Sequence, residues 1–365
     1  MPKKVVHLIA AARPNFMKVA PLYHALSATD WCVPRIVHTG QHYDFNMSDA
    51  FFRDLGLPAP AFHLGVGSGS HAEQTGGVMI AYEKICAAHP PDWIVVVGDV
   101  NSTAACAMVG AKLWIPVVHL EAGLRSGDRR MPEEINRLVT DAIADVLWTP
   151  SADADENLLR EGVARDKIDL IGNVMIDSFE LLRDRIEQSD SRMQLGLADA
   201  EYGLLTLHRP SNVDHPNTLT AIVEALESIA PDLHLVFVSH PRTIKNLKGF
   251  KLLGRLTGIS NLDLLDPLPY IDFMNVVTGA RLIITDSGGL QEETTYLGIP
   301  CLTMRENTER PVTVTQGTNK LVTAADLSGE VRRILRGEWK QGSCPELWDG
   351  HAAGRAVKSL ERRAR

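Results

Sequence analysis

Trp93-Ile94-Val95-Val96-Val97-Gly98-Asp99-Val100-Asn101-Ser102-Thr103 runs five apolar residues into a glycine, a carboxylate and a group of helix-opening side chains. A run that is apolar at every position, not at alternate ones, is a strand covered on both faces, as in a parallel sheet between helices. Asn101-Ser102-Thr103 then opens a helix. The same pattern extends both ways. Strands are expected at residues 5–10, 35–38, 117–120, 147–149 and 168–171, with helices at 16–27, 71–87, 102–113, 133–144 and 152–161. It restarts with strands at 203–207, 233–238, 262–265, 282–285 and 301–304. Two such series predict an α/β protein of two doubly wound, Rossmann-like parallel-sheet domains, residues 1–173 and 174–350, joined near Gly172-Asn173. Residues 187–200 are polar and weakly patterned and read as a surface connection. The final helix, residues 351–365, lies too far from any strand for pattern alone to place.

Length supports two cores, because 365 residues exceed what one usually sustains. A net charge of -8 argues against a broad nucleic-acid surface, so an anionic ligand would need local cations. No apolar run reaches bilayer length, and the N-terminus lacks the pattern of a secretory signal, so a cytoplasmic protein with no membrane partner is expected. Five scattered cysteines (Cys32, Cys86, Cys106, Cys301, Cys344) without a C-x-x-C pair read as free thiols. There is no G-x-G-x-x-G after a strand; Gly65-Val66-Gly67-Ser68-Gly69 has the wrong spacing and follows a poor strand. With no P-loop and no H-E-x-x-H either, neither a cofactor nor a catalytic metal is expected.

In doubly wound sheets ligands bind beyond the carboxyl ends of the strands. The first strand ends in Ala11-Ala12-Arg13-Pro14-Asn15, where Pro14 suits a first helical turn and Arg13 could grip a phosphate. Asp99 and Glu121, the latter in His119-Leu120-Glu121-Ala122-Gly123-Leu124-Arg125, leave two strands at one sheet edge. Glu133-Glu134 begins a helix after Pro132. Singly, each has a structural explanation: Asp99 as a helix cap, Glu121 as partner of Arg125, Glu133 against a helix dipole. Together they read as a shared site. In the second half, Leu207-His208-Arg209-Pro210 follows a strand, and a His-Arg pair there can meet phosphate oxygens. Ile283-Ile284-Thr285-Asp286-Ser287-Gly288-Gly289-Leu290-Gln291-Glu292-Glu293 runs a strand through Ser-Gly-Gly into a helix. Bare amides at that helix start form an anion site, and Glu293 could accept from ribose hydroxyls.

These motifs, with Lys18, Gly40-Gln41-His42, Pro132 to Arg137, Ile176-Asp177 and Thr308 to Pro311, resemble the non-hydrolysing UDP-N-acetylglucosamine 2-epimerases, in order from near residue 10 to about 320. The resemblance implies a glycosyltransferase-B-like architecture with UDP-sugar in the cleft, a final helix returning to the first domain, and a homodimer. It implies Asp99, Glu121, Glu133 and His208 as catalytic residues. Arg13, Lys18, Ser287, Gly288, Gly289, Glu293 and Arg310 would hold UDP, with Phe273 against the uracil. Some bacterial members bind a second UDP-N-acetylglucosamine as activator; Gln41, Glu134, Arg209 and His240 match that site. Asp44 and Pro210 depart from it, and Ala11 and Asn15 depart from the usual glycine and glutamate near the first arginine.

The chemistry implied is loss of the C2 proton together with departure of UDP from C1, then re-addition with the proton on the opposite face. A hydrolysing relative, an epimerase of a UDP-diacetamido-uronic acid, a glycosyltransferase and a silent UDP-sugar-binding protein are the alternatives. The three carboxylates disfavour the silent binder, since acids near a diphosphate weaken binding unless they are used.

Overall fold

The computed structural model describes residues 2–11, 13–40 and 52–364, with only the backbone of Arg13. Gln41 and Asp44 lie outside the described residues. The chain forms two compact units, Met1–Leu181 together with Glu346–Arg365, and Leu182–Pro345.

The first unit contains β1 (Lys4–Ala10), α1 (Arg13–Ser27), β2 (Cys32–His38), β3 (Phe62–His63), α2 (His71–Ala88), β4 (Trp93–Val97) and α3 (Asn101–Lys112). It continues with β5 (Val117–Leu120), α4 (Pro132–Ile143), β6 (Val146–Thr149), α5 (Ala152–Arg160) and β7 (Ile168–Leu170). The seven strands are parallel, in the order β3-β2-β1-β4-β5-β6-β7. Every residue of β4, β5 and β6 is buried, which is why their sequences are apolar apart from His119 and Thr149. Ile94, Val96, Val117 and Leu147 meet Tyr82 and Val109 of the covering helices in one core.

Helix α6 (Val174–Glu187) begins in the first unit and ends in the second. The division at Leu181 falls two turns after the helix start, where the sequence pattern set it. Ser178 Oγ donates to Met17 O in the first unit, whereas Asn275 Nδ2 reaches Ile186 O (2.8 Å) in the second.

The second unit contains α7 (Ser191–Gln194), β8 (Tyr202–Thr206), α8 (Pro210–Val213), α9 (Pro216–Ile229), β9 (His234–Val238), α10 (Pro241–Gly249), α11 (Leu253–Thr257) and β10 (Leu262–Leu265). Then come α12 (Tyr270–Gly279), β11 (Leu282–Thr285), α13 (Gly288–Leu297), β12 (Cys301–Thr303), α14 (Pro311–Thr315), β13 (Asn319–Leu321) and α15 (Ala324–Leu335). Its parallel strands run β10-β9-β8-β11-β12-β13 around a core that includes Leu205, Ile222, Leu226, Phe237 and Ile284. Strands β3 and β13 were not anticipated. They are two- and three-residue edge strands, too short to display a period.

The last helix, α16 (Ala352–Ala364), belongs to the first unit and packs on α1. The chain returns past Gly172, whose φ is +87° and where a Cβ would come within 2.1 Å of Leu347 O, so glycine is required. Among the described residues, no helix is long and apolar enough to cross a membrane.

Candidate active site

In each sheet the chain winds outward in both directions from one strand pair, β1/β4 in the first unit and β8/β11 in the second. Loops diverge at such switch points and leave an opening at the carboxyl ends of the strands. Of the residues singled out from sequence, Asp99, Glu121, His208 and Ser287 lie just beyond the carboxyl ends of β4, β5, β8 and β11.

In the first unit, Asp99 follows β4 and Glu121 follows β5. Glu121 is buried and adopts φ 71°, a conformation costly for a non-glycine residue. Its carboxylate pairs with the buried ammonium of Lys18, from α1. Asp99 does not cap the following helix; its carboxylate meets Arg137 Nη1. Glu121 likewise does not meet Arg125, which instead binds Asp141 (2.7 Å) and Glu161 (2.6 Å). Glu133 and Glu134 fall in the first turn of α4, which begins at Pro132 and favours acids at its positive end. Among the described residues, no hydrogen bond or ion pair engages the half-buried Glu133 carboxylate. Glu134 is committed: it accepts from Ser126 N (3.0 Å) and Gly127 N (2.9 Å) and pairs with Arg137 (2.6 Å). Burial pushes its carboxyl up, but these donors outweigh that and hold it below the usual range.

Beneath this group His119 bridges a loop and α4, with Nδ1 2.6 Å from Asp141 of that helix and Nε2 2.8 Å from Gly98 O. Asp141 also accepts from Gly123 N (3.1 Å). Burial raises the Asp141 carboxyl, but His119 and Arg125 bring it below its ordinary value. The loop carrying Asp99 is thereby tied to the one carrying Glu121. Asn15, one of the departures, braces α1 against β4 by donating to Val97 O (3.1 Å).

In the second unit, His208 follows β8 and Asp286 follows β11. His208 Nδ1 lies 2.9 Å from Asp286 Oδ1, and the ring is 40% exposed while Asp286 is wholly buried. Ser287 precedes α13, whose first residues are Gly288 and Gly289. A Cβ on Gly288 would sit 2.8 Å from Arg310 Nη1 and 3.0 Å from Glu309 Oε1, so this glycine admits an ion pair to the helix start. Arg310 pairs with Glu309 (2.6 Å) and Glu292 (2.8 Å), and Arg305 with Glu309 (2.8 Å). Burial raises the Glu309 carboxyl, yet the surrounding Arg310, Arg305 and Arg209 hold it well below the usual range. Arg209 Nε donates to Asp286 O (3.2 Å). His240 caps α10, accepts from Arg242 N (3.2 Å) and lies 5.7 Å, ring to ring, from His208.

Glu293, buried in the second turn of α13, accepts from Tyr270 Oη (2.7 Å). Burial pushes its carboxyl up to about 7, despite the Tyr270 bond and with help from Glu292. Phe273 is half-buried on α12, one turn after Tyr270.

Thus Lys18, expected at UDP, sits on a carboxylate, and Glu134, expected at a regulatory site, is held inside the first unit. Arg137, His119, Asp141 and Asp286 were given no role from sequence. For Arg137 the signal was its i,i+3 spacing from Glu134; for Asp286, its place directly before Ser-Gly-Gly.

The architecture, two Rossmann-like units each built on a parallel sheet, is that of the glycosyltransferase-B-like epimerases among its structural neighbours. A sequence model of UDP-N-acetylglucosamine 2-epimerases matches residues 24–361, and the chain belongs to that family. It is 44% identical over 323 residues to a UDP-N-acetylglucosamine 2-epimerase of Methanocaldococcus jannaschii, covering 86% of this chain and 87% of the relative. It is 39% identical over 360 residues to a UDP-2,3-diacetamido-2,3-dideoxy-D-glucuronate 2-epimerase of Pseudomonas aeruginosa, covering 96% and 98%. The crystal structure of the M. jannaschii UDP-GlcNAc 2-epimerase with UDP-GlcNAc and UDP superposes with a TM-score of 0.88 at 41% identity, covering 98% of this chain and 99% of that one.

Proposed function

We propose that this protein interconverts UDP-N-acetylglucosamine and UDP-N-acetylmannosamine without hydrolysis, by eliminating UDP and adding it back. One observation carries the reading: charge-paired carboxylates gather at the switch point of one unit, and a helix N-terminus with His208 and Arg310 at that of the other. The second unit takes the UDP part and the first supplies acid–base groups. A carboxylate takes the C2 proton as the C1–O bond breaks, and the electron pair goes to the β-phosphate oxygen of UDP. His208, Arg310 and the amides at Ser287-Gly288-Gly289 stabilise that charge. On return, C2 is protonated on the opposite face and the phosphate oxygen re-attacks C1. Lys18 and Arg137 hold Glu121 and Asp99 in ion pairs, whereas among the described residues none engages Glu133, which leaves Glu133 the least committed of the three for proton transfer.

Incubation with UDP-N-acetylglucosamine in heavy water, followed by NMR, tests this. Deuterium should appear at C2 of both epimers with no metal or nicotinamide added. Free N-acetylmannosamine would mark hydrolysis, and conversion with C2 fully protonated would overturn the elimination. UDP-2,3-diacetamido-2,3-dideoxy-D-glucuronate belongs in the same assay, because the P. aeruginosa relative matches over nearly its whole length. Faster turnover of that sugar would transfer the reading to it.

A homodimer is part of the proposal. The neighbouring helices α2, α3 and α4 carry or adjoin exposed Ile80, Leu113, Trp114, Ile135 and Val139, and Trp114 is 94% exposed. Light scattering should report twice the chain mass, and Ile80→Glu with Trp114→Glu should lower it. A monomeric native protein would reject this part.

A further inference from the structure

Asp286 is a heavily engaged carboxylate of the second unit. His208 N (3.0 Å), Arg209 N (2.8 Å) and Asn212 Nδ2 (3.0 Å) donate to Oδ2, and His208 Nδ1 lies 2.9 Å from Oδ1. No part of Asp286 is exposed. Burial raises its carboxyl, but His208, Asn212 and the Arg209 amide outweigh that and hold it below the ordinary value. An ionised carboxylate only accepts, so the facing ring nitrogen must carry hydrogen.

We infer that Asp286 is a positioning residue which keeps a hydrogen on Nδ1 of His208 and so aims Nε2, at the opposite edge of the ring, as the working atom toward the departing diphosphate. This rests on the reading of His208 as partner of the leaving group. The same carboxylate holds the backbone on both sides of the ring's attachment, so one buried charge sets the loop, the ring plane and the tautomer. When the C1–O bond breaks, the electron pair goes to a phosphate oxygen; a ring with hydrogen on both nitrogens keeps Nδ1–H on Asp286 and turns Nε2–H to that oxygen, and no proton need leave the ring. A ring with hydrogen only at Nε2 would turn a lone pair toward Asp286, a repulsive arrangement.

The test reads the ring directly in protein carrying ¹⁵N-histidine, with the His208 signal assigned by its absence in His208→Gln. The native protein should show hydrogen on Nδ1. A neutral ring protonated at Nε2 alone would overturn the inference, and this measurement needs no altered carboxylate. Asp286→Asn should release Nδ1 and lower kcat on the order of 10²-fold or more, with KM and UDP affinity within about threefold of native. An Asn variant that binds UDP normally and keeps kcat within about threefold would also overturn it. Hydrogen on Nδ1 with no epimerisation by the native protein would instead sink the proposed function and leave the pairing intact.

Discussion

Glu121 holds a left-handed backbone conformation at φ 71° while its side chain meets a buried ammonium. Such a residue costs on the order of 1–3 kcal/mol that the surrounding structure must offset. The conformation aims a carboxylate where the strand alone would not. Asp99→Asn, Glu121→Gln and Glu133→Gln should each lower turnover on the order of 10²-fold or more, as loss of an acid–base group does. UDP affinity by calorimetry should stay near native; variants that lost UDP binding but kept turnover at saturation would invert the assignment. Glu293 gives a second prediction. Its carboxyl, raised to about 7, carries a proton below that pH, while ribose hydroxyls bind best to the ionised form. UDP-N-acetylglucosamine binding should therefore tighten as pH rises through about 7, with up to a ~tenfold loss per unit below it. Glu293→Gln should bind weakly and without that slope, and a native affinity that is flat with pH would refute the role. Both effects hinge on partners remote in sequence. Lys18 is 103 residues from Glu121, and no local pattern announces such a pair.

The element that closes the first unit is α16. Its first amides, Ala352 N (3.0 Å) and Ala353 N (2.7 Å), donate to Asp177 of α6. Farther along, Trp148 Nε1 donates to Ser359 Oγ (2.9 Å), which donates to Asp169 (2.7 Å). Asp177 thus acts as a helix cap supplied from another helix, and the Gly172-Asn173 and Ile176-Asp177 motifs have a structural use in receiving the returning chain. Asp177→Ala should cost the first unit about 1–3 kcal/mol, the range for losing a cap and leaving buried amides unpaired. Thermal unfolding and hydrogen exchange across residues 352–364 would show it; unchanged protection there would contradict the clamp. Helix α4 is the other decisive element. Pro132 starts it, Glu133 stands at its positive end, and one turn later Arg137 reaches back to Asp99.

At the scale of the whole molecule, two sheets of the same winding each place charge at their switch point. The activator found in some bacterial members needs a second set of contacts. Here Glu134 is tied to Ser126, Gly127 and Arg137, Arg209 donates to the Asp286 backbone, and Pro210 lacks the cation usual at its place. Losing a charged hydrogen-bond partner typically weakens binding by about 1.5–3 kcal/mol. The reverse reaction on UDP-N-acetylmannosamine alone should therefore start at once and run linearly. A lag removed by traces of UDP-N-acetylglucosamine would show that an activator site works regardless.

The two α/β series were legible in the sequence, because strands covered on both faces are apolar at nearly every position, as β4 is throughout and β5, β6 and β11 are but for His119, Thr149 and Thr285. The sequence also determined which loops carry charge, since glycines and helix-opening residues punctuate the strand ends near Asp99, Glu121, His208 and Ser287. Edge strands β3 and β13 escaped it, being too short to show a period. Partnership between these groups emerges only on folding. Asp99 meets Arg137 of α4 across 38 residues and His208 meets Asp286 across 78; the winding brings that helix to the end of β4 and sets the ends of β8 and β11 side by side. The placement of α16 is of the same kind. Its amphipathic sequence specifies a face to bury, and Asp177, Asp169 and the close pass at Gly172 select the surface that receives it.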